Sequence, residues 1–174
     1  MNADALVRTL QTFRAKRLGL LVDTNLLLLY LIGGLRRELI RSFKRTSNFS
    51  EAEFLLLAQI ITHFNRSVTT TPHILTEVSN FLSQHHEPER SALLKFLGDS
   101  ISSWNEEQPA AKQLVRRDFF PRFGLTDTGI VDVSRSSFLV LTNERALAGF
   151  LTKRNIAVLN FQDLKSLCLR VWLR

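Results

Sequence analysis

The stretch Leu18-Gly19-Leu20-Leu21-Val22-Asp23-Thr24-Asn25 joins an apolar run directly to an acidic residue. A short apolar run of this kind is typical of a buried strand, and we predict a strand over Leu18 to Val22. Asp23 then lies at the carboxyl end of the strand, where a buried charge needs a polar partner. Thr24 and Asn25 are suited to hold its carboxylate through hydrogen bonds and to lead into a helix. The alternative is that Asp23 serves only as the cap of that helix.

Other short apolar runs predict the rest of a sheet. They lie at Ser67 to Thr70, Ser137 to Leu141 and Ile156 to Leu159, and Ser100 to Trp104 is a weaker candidate. Segments with helical spacing separate these runs, which is typical of βαβ units. We therefore predict an α/β/α sandwich whose central sheet has about five mostly parallel strands. Functional residues are then expected at the carboxyl ends of the strands.

Local signals predict where several helices begin. Ser50 and Glu53 form a capping box ahead of an apolar run, and Thr71-Pro72 places a cap residue before a proline at the first helical position. The second of these helices contains Glu77. At the end of the sequence, an apolar stripe predicts a closing helix with Leu164, Leu167, Cys168 and Val171 on one face.

A basic segment follows the most apolar part of the chain. Leu35, Leu39 and Phe43 recur every four residues, which is helical spacing, and the positions between them are rich in arginine and lysine. This pattern predicts an amphipathic helical segment with a basic face. The chain carries a formal net charge of +7 and a pI near 10.3, which favours a polyanionic partner. Nucleic acid is the first such partner to consider, and the alternative is that the excess charge only keeps the protein in solution. The candidate basic surfaces are Arg36 to Arg45, Arg116-Arg117 with Arg122, and Arg145 with Lys153-Arg154.

Length and composition predict one domain. The 174 residues are 45% hydrophobic and contain no Pro/Gly-rich linker, so we predict a single domain over 1–174 with an extra N-terminal helix at about 3–17. That segment has helical apolar spacing instead of the pattern of a secretory signal. The run Leu26 to Ile32 is only about a third of the length that spans a bilayer, so no membrane association is expected. Cys168 is the only cysteine, which excludes an internal disulfide and predicts a reducing cytoplasm.

Other acidic residues follow strands or begin helices. Asp127 lies at the predicted start of a helix, where a carboxylate is also an ordinary cap. Asn143 and Glu144 come directly after Thr142, the residue that follows the predicted strand Ser137 to Leu141. Glu77 lies early in its helix among apolar residues and either faces solvent or points into a cleft; taken alone, the position favours solvent. With Asp23 these make four groups, of which three fall at strand or loop ends on one rim of a parallel sheet, and the fourth, Glu77, lies early in an adjacent helix. Hard divalent cations collect oxygen ligands at such a place.

Four stretches in this order resemble the acidic motifs of the PIN-domain nucleases. They are Leu20-Leu21-Val22-Asp23-Thr24-Asn25, Thr71-Pro72-His73-Ile74-Leu75-Thr76-Glu77, Gly124-Leu125-Thr126-Asp127 and Val140-Leu141-Thr142-Asn143-Glu144-Arg145-Ala146-Leu147. The similarity extends through the last predicted strand and so covers most of the chain. Each motif is weak alone, and the specificity comes from their order and their secondary-structure context.

The resemblance implies a metal-dependent endoribonuclease. Asp23, Glu77 and Asp127 would hold one or two Mg²⁺ or Mn²⁺ ions, and a bound water would attack an RNA phosphate in line. In the last motif the family commonly has Asp at the position of Glu144 or at that of Asn143. Here Glu144 would supply the carboxylate, completing the catalytic set, and Asn143 would add a carbonyl oxygen as a further metal ligand.

Neighbouring polar residues receive supporting roles. Thr24, Asn25 and Thr142 are assigned to orienting the metal ligands instead of to chemistry. Asp132 lies five residues beyond Asp127 in the same helix and so points about 140° away from it. We therefore place Asp132 on the surface or behind the ligands.

The resemblance also suggests partners and a competing function. Many PIN nucleases are toxins of toxin–antitoxin pairs, which implies an antitoxin or other regulatory protein as partner, and the family also suggests a homodimer. The competing function is a catalytically degenerate PIN-like module that binds RNA or protein, and the departure at Asn143 and Glu144 motivates it. Other enzyme classes lack support, because the sequence has no Gly-x-Ser-x-Gly elbow, no Gly-rich phosphate loop and no zinc-ligand spacing among its histidines.

Overall fold

A computed structural model of the chain describes residues 3–16, 19–64, 68–135 and 138–164. Its centre is one sheet of five strands, in which every neighbouring pair is parallel. The strands are β1 (Gly19–Val22), β2 (Val68–Thr70), β3 (Asn105–Glu106), β4 (Phe138–Thr142) and β5 (Val158–Asn160). Their spatial order is β3-β2-β1-β4-β5, so the chain builds outward from β1 in one direction and then returns to add β4 on the other side. This reversal between β1 and β4 is the place where open α/β sheets form a crevice at the strand carboxyl ends.

Helices connect the strands and cover the sheet, as predicted for an α/β/α sandwich. In chain order they are α1 (Ala3–Ala15), α2 (Thr24–Leu35), α3 (Leu39–Ser42), α4 (Glu51–His63), α5 (Pro72–Leu82), α6 (Glu89–Ile101), α7 (Ala111–Leu114), α8 (Phe120–Val133) and α9 (Arg145–Lys153). Within the described ranges, no helix is long and apolar enough to cross a membrane.

The core is centred on β1 and α2. The side chains of Leu20, Leu21 and Val22 are fully buried, and the same is true of six of the seven residues from Leu26 to Ile32. Helix α2 packs against α4, α5 and α6, so it has no solvent-facing side along most of its length. Burying each such leucine stabilises the fold by roughly 2 kcal/mol. This packing fixes the position of the β1–α2 junction, where Asp23 lies.

The predicted helix starts are confirmed. Ser50 caps α4, and its hydroxyl and the carboxylate of Glu53 bond reciprocally to each other's backbone N–H groups. Thr71 caps α5 through a hydrogen bond from the Ile74 N–H to its hydroxyl, with Pro72 as the first helical residue. Helix α1 ends at Ala15, slightly earlier than predicted, and buries Leu6 and Leu10 as its apolar spacing indicates.

Two predictions of secondary structure were wrong. Ser100 to Trp104 is not a strand: α6 continues to Ile101 and turns follow, and the edge strand β3 begins only at Asn105. The basic segment does not form one helix, because α2 ends at Leu35 and Arg36 takes an extended conformation with φ −158°. Burial explains the break, since Ile40 and Phe43 enter the core whereas Leu35 is left exposed.

The remaining strand predictions were correct in place and shifted by a residue or two. Strand β4 ends at Thr142, one residue later than predicted, and β5 runs from Val158 to Asn160 instead of beginning at Ile156. Some predicted positions lie outside the described residues. They are Arg17, Leu18, Ser67, Ser137 and, in the predicted closing helix, Leu167, Cys168 and Val171.

Candidate active site

A cleft of about 330 Å³ opens where β1, β4, α5 and α8 meet. Four carboxylates line it, from Asp23, Glu77, Asp127 and Glu144. Asp23 directly follows β1, and Glu144 lies two residues beyond the end of β4. The acidic residues predicted from four separate parts of the sequence are therefore neighbours in space, at the carboxyl edge of the sheet.

Asp23 is the most constrained of these carboxylates. One oxygen accepts a hydrogen bond from the Leu26 N–H at 2.9 Å, which makes Asp23 the cap of α2. The other accepts from the Thr142 hydroxyl at 2.6 Å and from the Asn143 N–H at 2.7 Å. The side chain is 4% exposed. Asp23 therefore caps α2 and also lines the cleft. Both roles are possible because Asp23 lies between the end of the central strand β1 and the start of α2.

Glu77 points into the cleft and not into solvent. Its two carboxylate oxygens accept hydrogen bonds from the hydroxyls of Thr24 and Thr126, each at 2.8 Å. These bonds join α5 to the starts of α2 and of the second part of α8. The apolar neighbours of Glu77 left its direction ambiguous in the sequence. Two of them, Ile74 and Val78, are fully buried in the core on the same helix.

Asp127 reaches the cleft because α8 is interrupted. Gly124 has φ 66° and ψ −168°, a conformation that only glycine adopts without strain. The interruption divides α8 and sets Thr126 and Asp127 at the start of its second part, beside the other carboxylates. A hypothetical Cβ at Gly124 would meet no atom within 4 Å, so glycine is required here by the backbone alone.

Burial and neighbouring negative charge disfavour the ionised forms of Asp127 and Asp23. Burial, followed by the negative charges of Asp23, Glu144 and Glu77, raises the pKa of Asp127 to about 7. Burial also raises the pKa of Asp23, against the opposing effect of its hydrogen bonds. Within the described part of the chain, no lysine or arginine forms an ion pair with any of the four acids. A cation bound among them would relieve this repulsion.

Glu144 and Asn143 occupy different surroundings. Glu144 lines the cleft, and one of its carboxylate oxygens accepts a hydrogen bond from the Asn25 amide at 3.2 Å. Asn143 does not line this cleft but faces a neighbouring cavity. Its side-chain oxygen is buried and has no hydrogen-bond partner among the described residues. The structure therefore brings Glu144 to the predicted metal ligands and leaves the Asn143 side chain apart from them.

The polar residues expected to orient the ligands do contact them. Thr24, Asn25 and Thr142 each donate a hydrogen bond to one of the four carboxylates. Thr126 likewise donates a hydrogen bond from its hydroxyl to Glu77. The sequence offered no indication of this role except that Thr126 directly precedes Asp127. Asp132 lies elsewhere and pairs with Arg117 and Arg135.

The donor set fits a hard divalent cation. Carboxylate oxygens are the ligands that Mg²⁺ and Mn²⁺ prefer, and a cleft with several of them leaves room for coordinated water. Among the described residues, however, no three His, Cys, Asp or Glu side chains are arranged as a ready metal cluster. The oxygens of Asp23 and Glu77 are instead engaged by hydroxyl and backbone donors, which keep these two side chains in place.

Comparisons with known proteins leave the family open. No protein-family model and no curated protein matches the chain. Among solved structures, the chain is similar to PAE2754 from Pyrobaculum aerophilum, known from a crystal structure, with a TM-score of 0.47 and 18% identity over 91% of this chain and 92% of that one. A likeness at this level carries no inference about activity. The resemblance to PIN-domain nucleases therefore stays a prediction from the motifs.

Proposed function

We propose that this protein is a metal-dependent endoribonuclease that hydrolyses RNA phosphodiester bonds in the acidic cleft. The observation that carries the proposal is the convergence of Asp23, Glu77, Asp127 and Glu144 at the carboxyl edge of the sheet, where none of the four forms an ion pair with a described lysine or arginine. Clusters of like charge are costly in a fold and are found where a bound cation offsets them. The motifs that resemble those of PIN nucleases supply three of these four acids with the same residue type.

The four carboxylates are the residues that would hold Mg²⁺ or Mn²⁺. When bound, such an ion lowers the pKa of a coordinated water and stabilises negative charge on a phosphate. Asp23 is held by three hydrogen bonds and Glu77 by two, so both are oriented before any ligand arrives. Such preorganisation reduces the cost of placing a nucleophile and a phosphate in line.

Asp127 and Glu144 are the more adaptable members of the set. Asp127 has a pKa of about 7, so near neutral pH it exchanges its proton readily and gives it up when positive charge approaches. Glu144 is exposed and is held by one hydrogen bond of 3.2 Å from Asn25.

RNA is the substrate that the charge of the chain favours. The net charge of +7 attracts a polyanion, whereas the cleft itself is acidic and needs a basic surround. Arg45 lines the wall of the cleft with its guanidinium over the Phe81 ring, 4.1 Å from the ring centre. Three of the predicted basic residues already have acidic partners, since Arg36, Arg37 and Arg117 form ion pairs with Glu89, Glu51 and Asp132.

The cellular setting belongs to the same proposal. With a single cysteine, the chain suits a reducing cytoplasm. An unregulated ribonuclease would be harmful there, so we propose that a regulatory protein restrains it. By resemblance to PIN-domain toxins this partner would be an antitoxin, and a homodimer is the expected assembly.

The proposal is tested by incubating the purified protein with a mixture of structured and single-stranded RNAs. Wild type, Asp23→Asn and the control Asp99→Asn are compared in Mg²⁺, Mn²⁺ and EDTA. Asp99 is exposed on α6 and does not line the cleft, so its substitution makes the same chemical change elsewhere. We expect metal-dependent cleavage by wild type and Asp99→Asn, and its loss in Asp23→Asn. Equal activity in all three proteins would contradict the proposal.

A non-catalytic RNA-binding or protein-interaction module is the competing function. The absence of a ready metal cluster among the described residues is the observation in its favour. Thermal unfolding with and without Mn²⁺ separates the two, because a ligand that binds only the folded state raises the melting temperature. A metal site predicts stabilisation that disappears in Asp23→Asn. No cleavage together with no stabilisation would favour the module.

A further inference from the structure

A second cavity, of about 580 Å³, adjoins the acidic cleft. Asn25 and Arg45 line both, so they form the boundary between the two. The second cavity lies beside the carboxyl end of β4 and the segment between α3 and α4. Its volume falls in the range of pockets that accept small molecules and is larger than a single cation needs.

The chemistry of this cavity is opposite to that of the cleft. No aspartate or glutamate is among the residues that line it. Lys44 and Arg45 contribute two positive charges, and neither forms an ion pair within the described ranges. Five side-chain amides accompany them, from Asn25, Asn48, Gln84, Asn143 and Gln162. Because a cation site needs acidic ligands, this cavity is suited to a ligand that is anionic and rich in hydrogen-bonding groups.

Part of the cavity is already held in place. The guanidinium of Arg45 rests over the Phe81 ring, which restricts its motion and leaves its N–H groups available. The side-chain amide of Gln162 donates a hydrogen bond to the Asn143 carbonyl at 3.2 Å, which fixes this wall next to β4. Preorganised groups of this kind lose less entropy when a ligand binds.

We propose that this cavity is a nucleotide subsite, which binds one unpaired nucleotide of RNA next to the phosphate that enters the acidic cleft. This inference rests on the proposed ribonuclease function and adds to it a choice of substrate. Lys44 and Arg45 bind a backbone phosphate, and the amides of Asn48, Gln84 and Gln162 bind the edge of the base. Amide side chains match base edges in two hydrogen bonds at once, so they discriminate between bases. Base edges are free to bind in this way in single strands and loops.

The first test measures binding without cleavage. Fluorescence anisotropy in EDTA follows labelled single-stranded RNA octamers of A, C or U, together with a duplex of matched length. Wild type is compared with Lys44→Ala, Gln84→Ala and the control Lys95→Ala. All three side chains are exposed, so none of the substitutions disturbs the core, and circular dichroism checks that each protein is folded. Lys95 lies on α6 and does not line the cavity.

The two variants are expected to differ in kind. Lys44→Ala should weaken binding of all the octamers equally and reduce the slope of log affinity against log salt by about 0.7, the value of one lost phosphate contact on a single strand. Gln84→Ala should weaken binding of the preferred octamer by about tenfold, the effect of one lost base contact, and change the others less. Lys95→Ala should behave as wild type, and the duplex should bind more weakly than the best octamer.

Several outcomes would overturn the subsite. They are unchanged affinity and base preference in both variants, equal binding of the duplex and the octamers, or no binding of RNA by wild type up to about 100 µM, the weak end of non-specific affinity. The ribonuclease proposal fails separately. If the variants change RNA binding but wild type does not cleave in Mn²⁺, the subsite stands without the nuclease. If wild type cleaves but both variants keep its RNA affinity and its base preference, the nuclease stands without the subsite.

Discussion

Replacing Asp127 with asparagine should make the protein more stable. Burial and three neighbouring carboxylates raise the pKa of Asp127 to about 7, from 3.8 in the unfolded chain. A carboxyl with a raised pKa binds its proton more tightly in the folded state than in the unfolded state. The folded state is therefore favoured at low pH, and the free energy of unfolding falls as the pH rises from about 4 to about 7.

The size of the effect follows from the same values. A rise of the pKa from 3.8 to about 7 corresponds to about 4 kcal/mol of destabilisation at pH 8, at about 1.4 kcal/mol for each pH unit. Because the cleft is open to solvent and its side chains can move apart, we expect about half of this, or about 2 kcal/mol. Asparagine has a similar shape and no charge. Asp127→Asn should thus gain about 2 kcal/mol at pH 8, which raises the melting temperature of a protein of this size by about 6 °C.

Urea unfolding followed by circular dichroism in EDTA measures this difference between pH 5 and pH 8. The stability gain of Asp127→Asn over wild type should grow with pH across this interval, while Asp99→Asn should track wild type. A variant that is as stable as wild type at both pH values, or less stable at pH 8, would refute the electrostatic account of the cleft. Titrating groups outside the cleft affect both proteins equally, so the comparison isolates Asp127 together with its interactions with the other three carboxylates.

Three further predictions concern packing, backbone conformation and metal binding. A Cβ at Gly33 would lie 2.4 Å from the Phe54 ring, so Gly33→Ala should lower the free energy of unfolding, measured in urea, by about 1–3 kcal/mol. Gly98→Ala, in a helix with nothing within 4 Å, should instead gain up to about 1 kcal/mol, and equal effects at the two sites would contradict the packing. Gly124→Ala should lower the free energy of unfolding by about 2 kcal/mol because of the positive φ at this position. It should also displace Asp127 and so weaken Mn²⁺ binding measured by calorimetry. Unchanged Mn²⁺ affinity would show that the interruption of α8 does not position the site. Mn²⁺ affinity should rise between pH 6 and pH 8 with proton release that depends on Asp127, and a pH-independent affinity would place the metal elsewhere.

The sheet was predictable because its strands are short apolar runs that end in polar residues. Leu20 to Val22 is fully buried in β1, as its apolar run predicts, and helices between successive strands favour parallel crossovers. The exposed edge strand β3 carries no such signal, since Asn105 and Glu106 are polar and both exposed. The position of β3 depends on its pairing with β2, which is a tertiary interaction. The strand was therefore assigned in error to the preceding residues, Ser100 to Trp104.

The basic segment after α2 shows the limit of periodicity. The spacing of Leu35, Leu39 and Phe43 fits one helical face, but packing buries Ile40 and Phe43 and leaves Leu35 exposed. Which apolar residues enter a core depends on the partners available, and this is not encoded in the local pattern. The helix starts at Ser50 and Thr71 were predictable because caps are satisfied by residues nearby in sequence.

At the site, the sequence located the acids but not the contacts that hold them. Glu77 was ambiguous by position alone, and its direction is set by hydroxyls from Thr24 and Thr126, which are distant in sequence. The sequence also did not indicate that the side chains of Glu144 and Asn143 line different cavities. The directions of these two adjacent side chains depend on how the helix that follows them packs against the sheet.

The central claim, that the acidic cleft hydrolyses RNA, is tested most directly by analysing the ends of the products. The purified protein is incubated in Mn²⁺ with a labelled RNA and with the same RNA carrying 2′-deoxyribose at the cleavage site. Attack by water predicts linear phosphate ends, cleavage of both substrates, and loss of activity in Asp23→Asn but not in Asp99→Asn. Products that end in 2′,3′-cyclic phosphate, formed equally by all three proteins and only from the unmodified RNA, would contradict the claim.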